Sequence, residues 1–483
     1  MTQKNIILTT LNSRYSHTSI ALRYLFANLK EFKDETNILE FVINEDIGRI
    51  AEDILKFNPK IIGIGVYIWN ALDVAKLVKI IKKISPETMI ILGGPEVSYF
   101  PHRVDFDEAD FIICGEGETK FHQLCKAILQ NQKPQTKIIQ GDKEDFANLD
   151  LPYEFYTEED IKNRHIYFEA SRGCPFHCEF CLSSIDNKMR YLPIQKVLSE
   201  LEKLWQRGAR NFKFIDRTFN ININFGVQLL EYFLSKEDDF FVHFEVIPDN
   251  FPDELKILLQ KFKKNSLQLE VGLQTLDLQI AKNIKRNLKL EKIFENIKFL
   301  NQTQAHLHLD LIVGLPGESL RSFANNLDLL TNLTNSEIQI GILKKLSGTT
   351  LDRHDQIFGM VYSDFPPYDI LKNNLIDFFE MQKMKRFARF WDIVYNSGNF
   401  KNTFMLLKDG DKIFDRFYDF CNFVYRNTKS TNNISPSRMA TFLQNYLNKF
   451  HTPDDIERAL SKDKMMFSKS SQNTHIARQL KRD

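Results

Sequence analysis

The chain has 483 residues, a formal net charge of +1 from 64 basic and 63 acidic side chains, and 43% hydrophobic against 26% charged residues. That is a globular composition with room for roughly three domains of about 150 residues, and its charge gives no drive toward nucleic acid or any other polyanion. The longest notable apolar stretch, 61–69, falls well short of the roughly 20 residues that span a bilayer, and the start MTQKNIILTT carries no apolar secretory segment, so no membrane span and a cytoplasmic location are expected.

Residues 1–145 alternate short apolar runs with helical periodicity. Strands are expected at 5–11, 37–43, 60–66, 89–92 and 111–114, with helical spacing between them, as at Ile20, Tyr24, Leu25, Leu29 and Phe32. Strand then helix, repeated, gives a parallel doubly wound α/β sheet, which binds ligands at the carboxyl ends of its strands. The sequence puts Asn12, Tyr15 and His17 there, then Tyr67 and Trp69, then Gly93, Gly94 and Glu96 of ILGGPE, then Gly115, Glu116 and Gly117 of CGEGE. Glycines directly after a strand let backbone approach a bulky ligand with no Cβ in the way. His17 either faces that ligand or starts the next helix beside the caps Thr18 and Ser19.

A linker carrying Pro152 leads into residues 146–350, where strands are expected at 166–170, 212–216, 241–246, 268–272, 306–313 and 338–343 with amphipathic helices between them. The first is followed by SRGCPFHCEFCLSS, which holds three of the six cysteines, Cys174, Cys178 and Cys181, as CxxxCxxC. Three thiolates so spaced can ligate three irons of a 4Fe-4S cluster and leave the fourth iron open for a substrate. A structural zinc would need a fourth ligand, from His177 or a distant cysteine, and disulfides are disfavoured where thiols stay reduced. Cys114, Cys125 and Cys421 are scattered and read as small buried hydrophobes.

Beyond residue 350 the pattern turns helical and aromatic, with Phe378, Phe379, Phe387, Phe390, Trp391 and Tyr395. This stripe reads as core covering the open side of a barrel. Residues 395–400, YNSGNF, mark a loop, and the polar chain from Ser461 onward is expected to fray.

The CxxxCxxC loop resembles that of the radical S-adenosylmethionine (SAM) superfamily. The GGP and GEGE turns ahead of it resemble the cobalamin-binding Rossmann-like domain of cobalamin-dependent radical SAM enzymes, and RYSHTSIALRYL with LKKLSGTTL resembles a little-characterised subgroup of them. The resemblance implies a cobalamin domain at 1–145, a partial (β/α)6 TIM-like barrel at 146–350 with the cluster loop at the end of its first strand, and a helical region at 351–483. It implies a 4Fe-4S cluster, SAM and cobalamin as cofactors, an electron donor such as flavodoxin or ferredoxin, and a small-molecule or peptide substrate. In such an enzyme SAM chelates the open iron, cob(I)alamin takes a methyl from one SAM, and a 5'-deoxyadenosyl radical from another prepares an unactivated carbon to receive it.

The same resemblance assigns SAM contacts. Phe180 meets the adenine, Asp216 the methionine amine, Gln274 the ribose and Arg286 the carboxylate, Glu245 stands at the third strand end, and Gly314 with Gly317 brackets a turn under the adenine. The DxHxxG motif that supplies a lower axial histidine in some cobalamin enzymes is absent: Asp352 and His354 have its first spacing, but Ile357 stands where the glycine belongs. A cyclase or rearrangement enzyme would use the same parts. A radical SAM enzyme without cobalamin, such as a tRNA methylthiotransferase, would carry three further N-terminal cysteines where only Cys114 and Cys125 stand, and a non-catalytic iron-sulfur or zinc scaffold would leave the strand-end residues idle.

Overall fold

A computed structural model of the chain describes residues 4–143 and 145–464. The N-terminal sheet consists of β1 (Ile6–Asn12), β2 (Thr36–Val42), β3 (Ile61–Gly65), β4 (Met89–Gly93), β5 (Phe111–Cys114) and β6 (Ile138–Gln140), in the order β2-β1-β3-β4-β5-β6 and parallel throughout. Every residue of β1 is buried because helices cover both faces. Ile7, Leu11, Ile62 and Ile64 pack under helices Ile47–Leu55 and Ala71–Ile84, and Ile6, Leu8, Ile91 and Phe111 under Ile20–Ala27 and Glu118–Leu129. The sixth strand was not expected: Ile138 and Gln140 are exposed at the sheet edge, so no apolar run announces it.

The second sheet begins at β7 (Ile166–Phe168). A short antiparallel ribbon, β8 (Ser171–Arg172) with β9 (Arg190–Tyr191), frames the cysteine loop. The sheet continues through β10 (Asn211–Phe214), β11 (Phe241–Val246), β12 (Leu267–Gln274), β13 (His306–Val313) and β14 (Glu337–Ile342), all parallel, in the order β14-β13-β12-β11-β10-β7. Leucine and valine alternate with polar residues along β12 and β13, the apolar set being buried under helices and the polar set turned to the interior. This is the six-unit partial barrel the spacing predicts, open between β14 and β7.

The C-terminal region seals the β14 edge. The Asn396 side chain accepts from Ile338 N at 3.0 Å and donates to Ile338 O at 2.9 Å, imitating a neighbouring strand, and the Tyr395 hydroxyl donates to Ser336 O at 3.0 Å. YNSGNF is therefore a capping device for the barrel edge. Phe387, Phe390 and Trp391 of helix Phe378–Trp391 are fully buried, as the stripe reading requires, but Phe378 and Phe379 point outward, 44% and 72% exposed. A ribbon of β15 (Val361–Tyr362) and β16 (Ile370–Lys372) interrupts the expected all-helical region. Residues 461–464 do not fray: they are helical, and buried Asp463 accepts from the backbone N–H groups of Asn402 and Thr403, each at 2.9 Å. The rest of the expected frayed tail, 465–483, lies outside the described residues.

Two ion networks fix the first sheet against the barrel. Arg23 and Arg164 both bridge Glu40 of β2 to Asp160, at 2.7–3.0 Å, with Arg23 only 3% exposed. Arg172 joins Glu116 and Glu118 to Glu169 and lies over the rings of Tyr24 and Phe146. Buried charges so paired are costly to break, because removing one partner strands the other.

Candidate active site

Cys174, Cys178 and Cys181 line one cavity of about 390 Å³ at the carboxyl ends of the barrel strands, with Phe180, Glu245, Gln274 and Arg286. The loop is shaped by its backbone. Gly173 has φ +92°, where a Cβ would lie 2.4 Å from Lys188 O, and Cys174 N donates to Asp186 O at 2.8 Å. Burial pushes the Cys174 and Cys178 thiols up, and the neighbouring cysteines push Cys174 further. Nearby metal cations reverse that balance, so the donor set fits an iron cluster.

The loop is held by a residue the sequence reading passed over. Glu179, between Cys178 and Phe180 and 2% exposed, accepts from His354 Nε2 at 2.6 Å and Arg353 Nε at 2.8 Å, and pairs with Lys285 Nζ at 3.0 Å. Its own N–H donates to Ile284 O at 3.2 Å. Burial alone would raise its pKa, but the bonds from His354, Lys285 and Arg353 outweigh burial and hold it below the usual range. Of the Asp352–His354 pair, His354 thus supports the cluster loop, whereas Asp352 pairs with Lys345 at 2.7 Å.

Arg286 donates to Gly272 O and to Cys178 Sγ, the latter at 3.7 Å, while Gln274 sits at the β12 bulge with φ +69°. Glu270 and Asp310, also missed by sequence, line the cavity beside Glu245. Burial, then Glu270 and Glu245, pushes the Asp310 carboxyl well above the carboxylate range. Glu245 is paired with Arg217 at 3.0 Å, and Arg217 takes the lining position expected of Asp216.

Three residues expected at the SAM site, Asp216, Gly314 and Gly317, do not line this cavity. Asp216 lies behind it, accepting from Ala170 N at 3.0 Å and Ser171 Oγ at 2.5 Å, because β7 stops at Phe168 and leaves the Ala170 amide in need of a partner. Gly314 (φ +91°) turns against the C-terminal region, where a Cβ would lie 2.7 Å from Ile370 Cγ2, and its N–H is taken by buried Glu318 at 2.7 Å.

A second cavity, about 730 Å³, opens at the carboxyl ends of β1, β3, β4 and β5 and is closed on its far side by the barrel. Asn12, His17, Tyr67, Trp69, Gly93, Gly94, Gly115, Glu116 and Gly117 line it, facing Tyr167, Glu169, Arg172 and Arg217. Tyr67 and Trp69 stack at 4.5 Å, nearly parallel, and Trp69 Nε1 donates to Leu11 O at 3.0 Å, fixing an aromatic wall. Nothing lies within 4 Å of a Cβ placed on Gly115, and at Gly93 only a carbonyl at 3.8 Å does, so these glycines leave space that a bulky planar ligand can fill. Gly94 serves a different need: at φ +106° its Cβ would stand 2.5 Å from Val66 O. His17 Nδ1 is hydrogen-bonded to the Tyr167 hydroxyl, and burial, with the cations around it, lowers its pKa.

Tyr15 and Glu96 do not line this cavity. Tyr15 is 55% exposed, its hydroxyl on Glu159 and its ring under Arg164, and Glu96 accepts from the Tyr368 hydroxyl of the C-terminal region. Cys114 and Cys125 are buried in the cores on opposite faces of the first sheet and cannot share a ligand.

The family described as the radical SAM superfamily matches residues 168–330, the B12 binding domain matches 6–125, and a family described as a protein of unknown function (DUF4080) matches 356–483. An uncharacterized methyltransferase (PH0819) of Pyrococcus horikoshii is 28% identical over 228 residues, 42% of this chain and 49% of its own length. The cobalamin-dependent radical SAM methyltransferase TokK of Streptomyces tokunonensis is 23% identical, over 62% of this chain and 49% of its own, and a tRNA-2-methylthio-N(6)-dimethylallyladenosine synthase of Natranaerobius thermophilus is 26% identical, over 56% and 61%. The chain therefore spans about half to three fifths of these relatives' lengths. In fold it is similar to the cobalamin-dependent SAM radical enzyme OxsB (TM-score 0.65, 14% identity, 98% of this chain and 80% of that one). It is also similar to the radical SAM methyltransferase TsrM of Kitasatospora setae (TM-score 0.59, 15% identity, 78% and 81%).

Proposed function

The chain joins a B12-binding domain to a radical SAM domain, and from that premise we propose that it is a cobalamin-dependent radical SAM methyltransferase acting on an unactivated carbon. The observation that carries this reading is the shared wall: Arg217 lines both the cysteine cavity and the glycine-rimmed cavity. When bound, the cluster supplies the electron that cleaves SAM and the corrinoid supplies a methyl carrier, so the substrate carbon belongs between the two cavities.

The protein's own groups then divide the work. Cys174, Cys178 and Cys181 hold the cluster, and Glu179 keeps their loop seated. Arg286 stands at the cluster's edge, where its guanidinium can turn from the Gly272 carbonyl to a carboxylate. Gln274, Glu245 and Phe180 complete the SAM surface, and Asp310, whose pKa burial raises, lines the same cavity. Gly93, Gly115 and the Tyr67–Trp69 wall receive the corrin. His17, hydrogen-bonded through Nδ1 to the Tyr167 hydroxyl, lines the same cavity and would form part of the corrin's wall. With Cys114 and Cys125 on opposite faces of the sheet, a second N-terminal cluster of the methylthiotransferase kind has no ligand set among the described residues.

The test is anaerobic reconstitution of the full chain with iron, sulfide and cobalamin, followed by reduction with SAM, using dithionite or a flavodoxin or ferredoxin system. Wild type is expected to release 5'-deoxyadenosine, and Cys174→Ala, Cys178→Ala and Cys181→Ala to release none while still binding corrinoid. Full SAM cleavage by any one of these variants contradicts the reading.

A further inference from the structure

The barrel interior is polar along its length, and at the amino-terminal end of its strands, remote in the sheet from the cysteine loop, three metal-binding side chains converge. His306 and His308 are two apart on β13 and so share a face, and Glu337 is the cross-strand partner of His308 on β14. His306 Nε2 lies 3.0 Å from Glu337 Oε1 and His308 Nε2 lies 3.0 Å from Oε2, and the donor atoms of all three fall within 4.8 Å of one another. Two imidazoles and a carboxylate around a tetrahedral zinc stand about 3.3 Å apart, so the two short pairs already fit and small side-chain rotations bring in the widest.

The surroundings of His308 are compatible with the same role. The side-chain amide nitrogens of Gln268 and Gln339 both lie against His308 Nδ1, at 3.0 and 2.6 Å. One ring nitrogen cannot accept from both, so turning either amide over would set its oxygen against Nδ1–H and leave the Nε2 lone pair for a metal.

We propose that His306, His308 and Glu337 bind one divalent cation of the zinc class, with water completing its shell, and that this ion staples the edge strand β14 to β13. Three protein ligands leave an open position, but the site stands apart from both cavities and its role is structural. The inference does not rest on the radical SAM reading, since the ligands, strands and amides involved are outside that chemistry.

The experiment uses the full chain with its cluster reconstituted, so that the three loop cysteines are occupied, stripped of loose metal with a weak chelator. Anaerobic titration with Co(II) is expected to give visible d–d absorption saturating at one equivalent, displaced by one equivalent of Zn(II). His306→Gln, at a half-exposed position that leaves the core intact, and Glu337→Gln are each expected to weaken Co(II) binding about 100-fold or more. Absence of saturable Co(II) binding, or unchanged affinity in either the His306 or the Glu337 variant, overturns the proposal.

Discussion

Glu179→Gln should loosen the cluster loop without touching a cluster ligand. The carboxylate has one buried partner, His354, and two half-exposed ones, Arg353 and Lys285, whose side chains are 47% and 53% accessible. A hydrogen bond to a buried carboxylate contributes about 1.5–3 kcal/mol, whereas each solvent-screened pair adds only about 0.2–1 kcal/mol. The amide keeps the shape and one acceptor but loses the charge, so the loop should open about 2–4 kcal/mol more easily, roughly 30- to 900-fold in the opening equilibrium. The assay is release of iron from reconstituted protein to a ferrous chelator. Because the folded pKa of Glu179 is held below its unfolded value, its contribution is present above the ordinary glutamate range near pH 4.3 and is lost as pH falls through the depressed value. Wild-type iron release should therefore be flat from pH 6 to 8, and the variant fast throughout. A variant that loads fully and releases iron at the wild-type rate would refute the clamp.

Arg286→Ala should raise the SAM concentration needed for cleavage and, because the guanidinium touches Cys178 Sγ, also shift the cluster's reduction potential to more negative values; an unchanged potential by redox titration contradicts that contact. Gly94→Ala places a Cβ 2.5 Å from Val66 O at φ +106°, so it should destabilise the first sheet and lower corrinoid stoichiometry while SAM cleavage by the barrel persists; wild-type corrinoid loading would show that the strain is absent. Burial pushes the Asp216 pKa up to about 7 against the hydrogen bonds from Ser171 and Ala170, so its contribution to stability is fully present below about pH 4 and is lost as pH rises through about 7. Asp216→Asn should flatten the fall in thermal midpoint between about pH 4 and 7, and parallel wild-type and variant profiles would contradict it.

The two sheets were legible because their strands are apolar runs set among helical periodicity, and the cysteine loop because its chemistry is written in contiguous residues. What escaped the sequence depends on partners far apart in the chain. Glu179 reads as an ordinary acidic residue until Lys285, Arg353 and His354 arrive from two other segments. Asp216 and Arg217 show how local backbone needs decide which of two neighbours lines a cavity. The two are adjacent at the end of β10, and the backbone need of Ala170 turns the aspartate inward while the arginine reaches both cavities. Gly94 was read as yielding to a ligand, but it yields to the backbone of residue 66. The metal-ligand triad at 306, 308 and 337 is invisible in sequence because cross-strand register brings it together.

The central claim, a corrinoid and a SAM-cleaving cluster facing each other across Arg217, is tested most directly by product analysis of the reconstituted chain. Incubated anaerobically with SAM and reductant, the protein should hold one corrinoid and about four irons per chain and form both S-adenosylhomocysteine and 5'-deoxyadenosine, with Arg217→Ala disturbing both products. A chain that retains no corrinoid, or that forms 5'-deoxyadenosine with no S-adenosylhomocysteine, contradicts the methyltransferase account.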